Sequence, residues 1–245
     1  MGEESYKNLS AELRGSVIAP GDDDYEVARR VYNGMIDRRP DAIVRCADVA
    51  DVVKAVNFAR KEGAPVAVRG GGHNGAGLGV CDRGLVIDLS SMKGVLVNPA
   101  TKTIWAEAGC TQADLNHVAH DFGLAVPLGV ISSTGIAGLT LGGGTGYLTR
   151  KYGLTVDNLL EAHLVLADGH FVTASANENP DLFWAIRGGG GNFGIVTSFL
   201  FRGCPVDQVF AGPMLWEMEH ARELLSGTGK LRRSSQKNCP GFLHS

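Results

Sequence analysis

The chain alternates short apolar runs, helical repeats and glycine clusters. Ala42-Ile43-Val44-Arg45-Cys46 is an apolar run of strand length. Asp48 then stands as a helix cap, Val49, Val52, Val53 and Val56 recur at helical spacing, and Gly63 stops the helix. Pro65-Val66-Ala67-Val68 is a second apolar run and reads as a buried strand. Strand, helix and strand make a βαβ-like unit that delivers Arg69-Gly70-Gly71-Gly72-His73-Asn74. Upstream, the chain starts polar, turns at Pro20-Gly21-Asp22 and forms a short helix over residues 25–32, with Pro40 as its stop.

Downstream, residues 86–89 read as a strand. Residues 95–97 and 103–106 form a hairpin around Asn98-Pro99-Ala100-Thr101. Thr111 opens a helix that runs toward Phe122 and ends at Gly123. A second glycine-rich stretch covers residues 134–147. Residues 161–166 and 170–173 form a second hairpin across Asp168-Gly169. Asn179-Pro180 caps a helix over residues 181–187, and the third cluster, Gly188-Gly189-Gly190-Gly191-Asn192, runs into a strand over residues 195–201. After Pro205 the pattern weakens. Residues 210–216 read as one more strand, residues 219–225 as a short helix and residues 227–245 as a loose tail.

Composition narrows the classes. With 245 residues, 44% of them hydrophobic, the chain can build one sizeable core. A formal net charge of −3 gives no argument for nucleic acid or an anionic membrane as partner. No apolar run is long enough to span a bilayer, and the acidic N-terminus lacks a secretory apolar segment, so the expected location is cytoplasmic. The 34 glycines are clustered rather than periodic, which excludes collagen and indicates several special backbone loops. Five cysteines, an odd number without a CxxC pair, favour reduced thiols over a disulfide framework or a metal site. No HExxH, GxSxG or GxxxxGK[ST] occurs, so the zinc, serine-hydrolase and P-loop signals are missing.

Two stretches match GxGxxG formally: Gly70, Gly72 and Gly75, then Gly189, Gly191 and Gly194. A dinucleotide fingerprint needs a helix directly after the loop, so that its N-terminus meets the pyrophosphate. Neither match has one, and the Rossmann fold is rejected. Three bare glycines after a strand can still press backbone N–H groups against an anion, and Arg69 offers a fixed positive charge beside them. Each cluster alone is equally compatible with a tight turn, and His73 with an ordinary hydrogen-bonded histidine. Three clusters flanked by core-like segments suggest loops converging on one extended ligand.

Residues 65–74 resemble the flavin-attachment loop of FAD-linked oxidases of the vanillyl-alcohol oxidase / p-cresol methylhydroxylase (PCMH) type, in the berberine-bridge-enzyme-like branch. Residues 138–154 with Asp157-Asn158 resemble that family's second flavin loop, and residues 181–196 its third. The resemblance covers roughly residues 35–215. It implies an α+β, two-subdomain FAD-binding fold of the PCMH type with only the start of a substrate domain. The implied division is an N-terminal segment (1–34), the FAD-binding domain (35–205), the start of a substrate domain (206–226) and the tail (227–245).

Carried over residue by residue, the resemblance places FAD between the subdomains. Arg69, Gly70, Gly71, Gly72, His73 and Asn74 would wrap the pyrophosphate, with Gly79 beside them and His73 bonded to the flavin 8α-methyl. Thr134, Gly135, Gly138, Leu139, Gly142 and Gly146 would line the other side, and Ile195 and Val196 would offer backbone contacts at the adenine end. Ile131 stands where some members carry a second, cysteinyl attachment, so a single covalent link is expected. The implied activity is hydride transfer from a CH–OH or CH–NH small-molecule substrate to FAD, with O2 as electron acceptor. No metal, nucleic acid or membrane is implied. The catalytic base would lie in the part of the family's fold that this chain does not reach; Tyr147, beside the second flavin loop, is a candidate contributor that reads rather as structural. The rival readings are a noncovalent flavin reductase and a flavin-binding remnant without turnover.

Overall fold

A computed structural model describes residues 3–206 and 215–227 of the chain. The contacts divide it into two units, Met1–Val206 and Asp207–Ser245. The second unit is described only over residues 215–227, a 3-10 turn at Met218–His220 followed by a helical turn pair over residues 221–227. The expected strand at 210–216 lies mostly outside the described residues, as does the expected tail, apart from Gly227.

The first unit holds two sheets. The first is built from β1 (Ser16–Ile18), β2 (Ala42–Arg45), β3 (Val66–Arg69) and β4 (Leu85–Asp88), in the order β1-β2-β4-β3. Helices α1 (Glu3–Glu12), α2 (Tyr25–Ala28) and α3 (Val49–Glu62) belong to this half. The expected βαβ unit forms, but β2 and β3 are not neighbours. Both run parallel to β4, with Val44 and Val68 opposite Ile87. All four residues of β4 are buried, so a continuous apolar run takes the centre, as parallel sheets covered on both faces require. β3 alternates instead. Val66 and Val68 are 44% and 39% exposed while Ala67 and Arg69 are buried, so the strand expected to be buried is a half-open edge.

The second sheet is antiparallel. It comprises β5 (Val95–Asn98), β6 (Thr103–Glu107), β8 (Leu159–Val165), β9 (Phe171–Ser175) and β10 (Ile195–Arg202), ordered β5-β6-β10-β8-β9. Between β6 and β8 the chain forms α4 (Gln112–His120), β7 (Leu124–Ala125), α5 (Ile136–Leu141) and α6 (Thr149–Tyr152). Helix α7 (Pro180–Ile186) precedes β10, and β11 (Cys204–Pro205) pairs with β7. Both expected hairpins are present, β5–β6 and β8–β9. One continuous core joins the sheets, with Val44, Leu85 and Ile87 from the first and Ala106, Phe199 and Phe201 from the second. The opposite face of the first sheet packs Ile43, Val86 and Ala67 against Ile18, Tyr25 and Val80.

Local signals set most boundaries. The Asp48 side chain accepts from the Asp51 N–H, and Gly63 ends α3 with φ of 63°. Thr111 and Asp114 form a capping box on α4, which stops at His120, two residues short of the expected end. Asn179 does not cap α7 through its side chain. Its Nδ2 donates instead to the Thr173 carbonyl at 2.8 Å, tying the helix start to β9. Helix α2 is half its expected length, because the chain after Ala28 turns away toward the triple-glycine loop.

Asp51, fully buried in the first turn of α3, fastens the entry to β1. Its carboxylate accepts from the backbone N–H groups of Arg14 (3.0 Å), Gly15 (2.9 Å) and Ala47 (3.0 Å). Burial pushes its pKa up, but those three donors outweigh it and hold the carboxyl below its usual range. A depressed folded pKa contributes stability that is complete above the unfolded value, about 3.9, and lost as pH falls through the folded one. Asp51→Asn is therefore expected to cost about 1–3 kcal/mol in urea unfolding at neutral pH. The same variant should lose less of its remaining stability than the parent between pH 5 and the acid limit.

Candidate functional site

Edge strand β3 delivers the triple-glycine loop to the seam between the two sheets. There it meets the segment that leads into α5. The two loops touch through bare backbone: a Cβ built on Gly71 would lie 2.3 Å from the Gly135 nitrogen, and one built on Gly135 would lie 2.3 Å from the Gly71 nitrogen. No side chain fits at either position. Gly72 has φ of 68°, a left-handed conformation that turns the loop back toward the first sheet.

A cavity of about 720 Å³ opens along this seam. That volume is in the range of small-molecule and cofactor sites. Its walls are residues 66–74, Leu78 and Gly79 on one side, Thr134, Gly135, Ala137, Gly138, Leu139, Leu141 and Gly142 on the other, and Gly190 to Asn192 with Gly194 to Val196 at the end. The three glycine clusters thus converge. Of the fifteen residues expected at the site, fourteen are in the wall; Gly146 is not, and a Cβ there would meet the Leu128 carbonyl oxygen at 1.8 Å. The exposed Tyr147 is also outside the wall. Val66, Val68, Leu78 and Gly190 line the cavity although none was among the expected site residues. The alternation within residues 65–69 was the available signal for the two valines.

Arg69 does not supply the free charge its position suggested. Its guanidinium is buried and lies 2.8 Å from Asp88 Oδ2, the residue opposite it on β4. A second donor, Nη1, reaches the Arg30 carbonyl at 3.3 Å. The polarity of the loop comes from its backbone instead. Among the described residues, none of the N–H groups of residues 70–75 donates to a protein acceptor. Amides without a protein acceptor, three of them on consecutive glycines of the cavity wall, are the kind of backbone that can hold an anion.

His73 is half-buried within this loop, directly after the three glycines. Its Nε2 lies 3.1 Å from Ser133 Oγ, and its Nδ1 makes a longer 3.4 Å contact with Thr134 Oγ1. The Tyr32 ring stacks on it, with centroids 4.3 Å apart and planes 17° from parallel. Among the described residues, no cysteine stands in the cavity wall. Cys46, Cys81, Cys110 and Cys204 are free thiols away from it, and burial pushes the Cys110 thiol up to about 12. Among the described residues no cluster of three His, Cys, Asp or Glu is placed to hold a metal ion. No helix of the described residues is long and apolar enough to cross a membrane.

Residues 40–175 match a family model described as an FAD binding domain. An uncharacterized FAD-linked oxidoreductase, YgaK of Bacillus subtilis, is 40% identical over 218 residues, covering 87% of this chain and 48% of that protein. The solved structure of 6-hydroxy-D-nicotine oxidase from Arthrobacter nicotinovorans superposes with a TM-score of 0.77 at 40% identity, over 80% of this chain and 43% of that one. Glucooligosaccharide oxidase from Acremonium strictum, whose structure is described as carrying a 6-S-cysteinyl, 8α-N1-histidyl FAD, superposes at 0.74 with 31% identity, over 81% and 42% of the two chains. The chain spans about half the length of the curated relatives it matches. These superpositions accord with the two-subdomain α+β fold expected of the PCMH type.

The Arg69–Asp88 pair generates a prediction for the loop's foundation. Asp88→Asn leaves a buried guanidinium without its counter-charge and is expected to cost about 3–5 kcal/mol by chemical denaturation. Combining Arg69→Met with Asp88→Leu should recover most of that loss, because two apolar side chains leave no charge to desolvate.

Proposed function

The chain belongs to the FAD binding domain family, and from that premise we propose that it holds FAD along the seam cavity through one covalent bond to His73. The observation that carries the reading is the run of N–H groups over residues 70–75 without a protein acceptor, with His73 among them, on a loop that lines a cavity with an apolar side. The fit is chemical as well as spatial. Those N–H groups suit the pyrophosphate, while Val66, Val68 and Leu139 offer apolar surface to a flat ring system. Gly138 and Gly191 keep room for the ligand, since a Cβ at either would meet no atom of any neighbouring segment within 4 Å.

In this reading Arg69, Gly70, Gly71, Gly72 and Asn74 hold the pyrophosphate by their backbone, with Gly79 behind them. Thr134, Gly135, Gly138, Leu139 and Gly142 line the opposite side, and Ile195 and Val196 meet the adenine end. Bond formation at an imidazole nitrogen releases two protons and two electrons, and O2 is the acceptor that balances them. Ile131 stands at the place matched to a cysteinyl attachment, so one link is proposed rather than two. When bound, FAD supplies a two-electron hydride acceptor. For the longer protein that the relatives' lengths imply, the proposed activity is oxidation of a CH–OH or CH–NH small molecule with O2. Residues 35–205 are its proposed FAD-binding domain.

The test is flavin fluorescence in the band of acid-denatured protein on a denaturing gel. A fluorescent wild-type band that disappears in His73→Ala is expected; a dark band from soluble, FAD-binding wild type would overturn the covalent reading in favour of a noncovalent flavoprotein. Gly138→Ala separates cavity from fold. In helix α5 the added methyl should raise stability by about 0.5–1 kcal/mol while weakening FAD binding measured by fluorescence quenching.

A further inference from the structure

We propose that Tyr32 is a positioning residue for His73: the segment leaving α2 straps the triple-glycine loop and lays the Tyr32 ring flat on the imidazole, fixing the plane in which His73 meets the flavin. The inference rests on the covalent reading above.

The strap is fastened on both sides of His73. Before it, the Tyr32 N–H donates to the Gly72 carbonyl at 3.1 Å. After it, Asn33 Nδ2 donates to the Gly75 carbonyl at 2.8 Å. Farther along, Arg38 Nη1 donates to the carbonyls of Gly77 (3.1 Å) and Val80 (2.9 Å), and the Ile36 side chain fills the space over Gly77. Burial does not explain the tyrosine, which is 69% exposed. Its ring has a single described ring contact, the imidazole. No hydrogen bond of its hydroxyl is found among the described residues, so the ring carries the effect.

The imidazole at the end of a glycine loop has little of its own backbone to hold it. Ser133 and Thr134 meet its two nitrogens at the edge, which leaves its tilt free. A flat aromatic ring on one face removes that freedom. Attachment needs a nitrogen lone pair aimed at one carbon, and misplacement by about 1 Å can cost a hundredfold in rate. The residue acts through His73, forming no bond and transferring no proton in the attachment step.

The test is the rate of covalent flavin incorporation into apo-protein at saturating FAD, read by gel fluorescence, so that affinity does not enter. Tyr32→Leu is expected to slow attachment about tenfold or more, while Tyr32→Phe and Tyr32→Trp attach at the wild-type rate. Thermal melting of each variant separates a local effect from unfolding. A Tyr32→Leu variant that is folded and attaches as fast as wild type overturns the clamp and leaves the covalent reading intact. Equal slowing in Tyr32→Phe would overturn it as well, because the hydroxyl and not the stack would then matter. Wild type that binds FAD without attaching it overturns the covalent reading, and the clamp with it.

Discussion

Two glycine backbones pressed together are the constraint on which the seam depends. Gly71 belongs to the loop after an edge strand of a mixed sheet, and Gly135 to the approach to a short helix beside an antiparallel sheet. Their contact leaves no room for a Cβ on either. It brings the first two glycine clusters to one line, and the third cluster closes the end of the cavity. A side chain at this crossing would part the loops and dissolve the cavity they share.

The loop's foundation is electrostatic and hidden. Arg69 looks like an anion-binding residue because it precedes three glycines. The parallel register puts it opposite Asp88, and both side chains are buried, so each is the other's necessary partner. Serine 90 completes the arrangement by donating its N–H to Asp88 Oδ1 at 3.0 Å. The positive potential left for a ligand is that of backbone dipoles. It requires no side chain to reorganise when an anion arrives, and it cannot titrate away.

His73 then sits where three independent pieces of chain meet: its own glycine loop, the hydroxyls of residues 133 and 134, and the strap that carries Tyr32. A side chain on a glycine loop is accessible but poorly held. External supports supply the order that the glycines give up. The N-terminal segment, outside the stretch that the family model matches, thereby becomes part of the site's construction.

Much was legible in the linear order of residues. Apolar runs located eight of the eleven described strands, missing β1, β7 and β11, which have two or three residues each; Asp48, Thr111 and Gly63 set helix ends, and three glycine clusters marked the cavity wall. Those features are local: a cap, a turn or a strand needs only its neighbours in the chain. The rest was decided by residues far apart in sequence. The insertion of β4 between β2 and β3 made a valine strand into a cavity wall. The pairing of Arg69 with Asp88 withdrew a charge. Gly146 packs against the Leu128 backbone, and the strap brought Tyr32 onto His73 across 41 residues of chain. Sequence by itself determined which segments could be strands, helices and bare loops, because backbone sterics and apolar periodicity act over a few residues. Only the tertiary structure decided which side chains face each other, because register and burial are settled between segments and not within them.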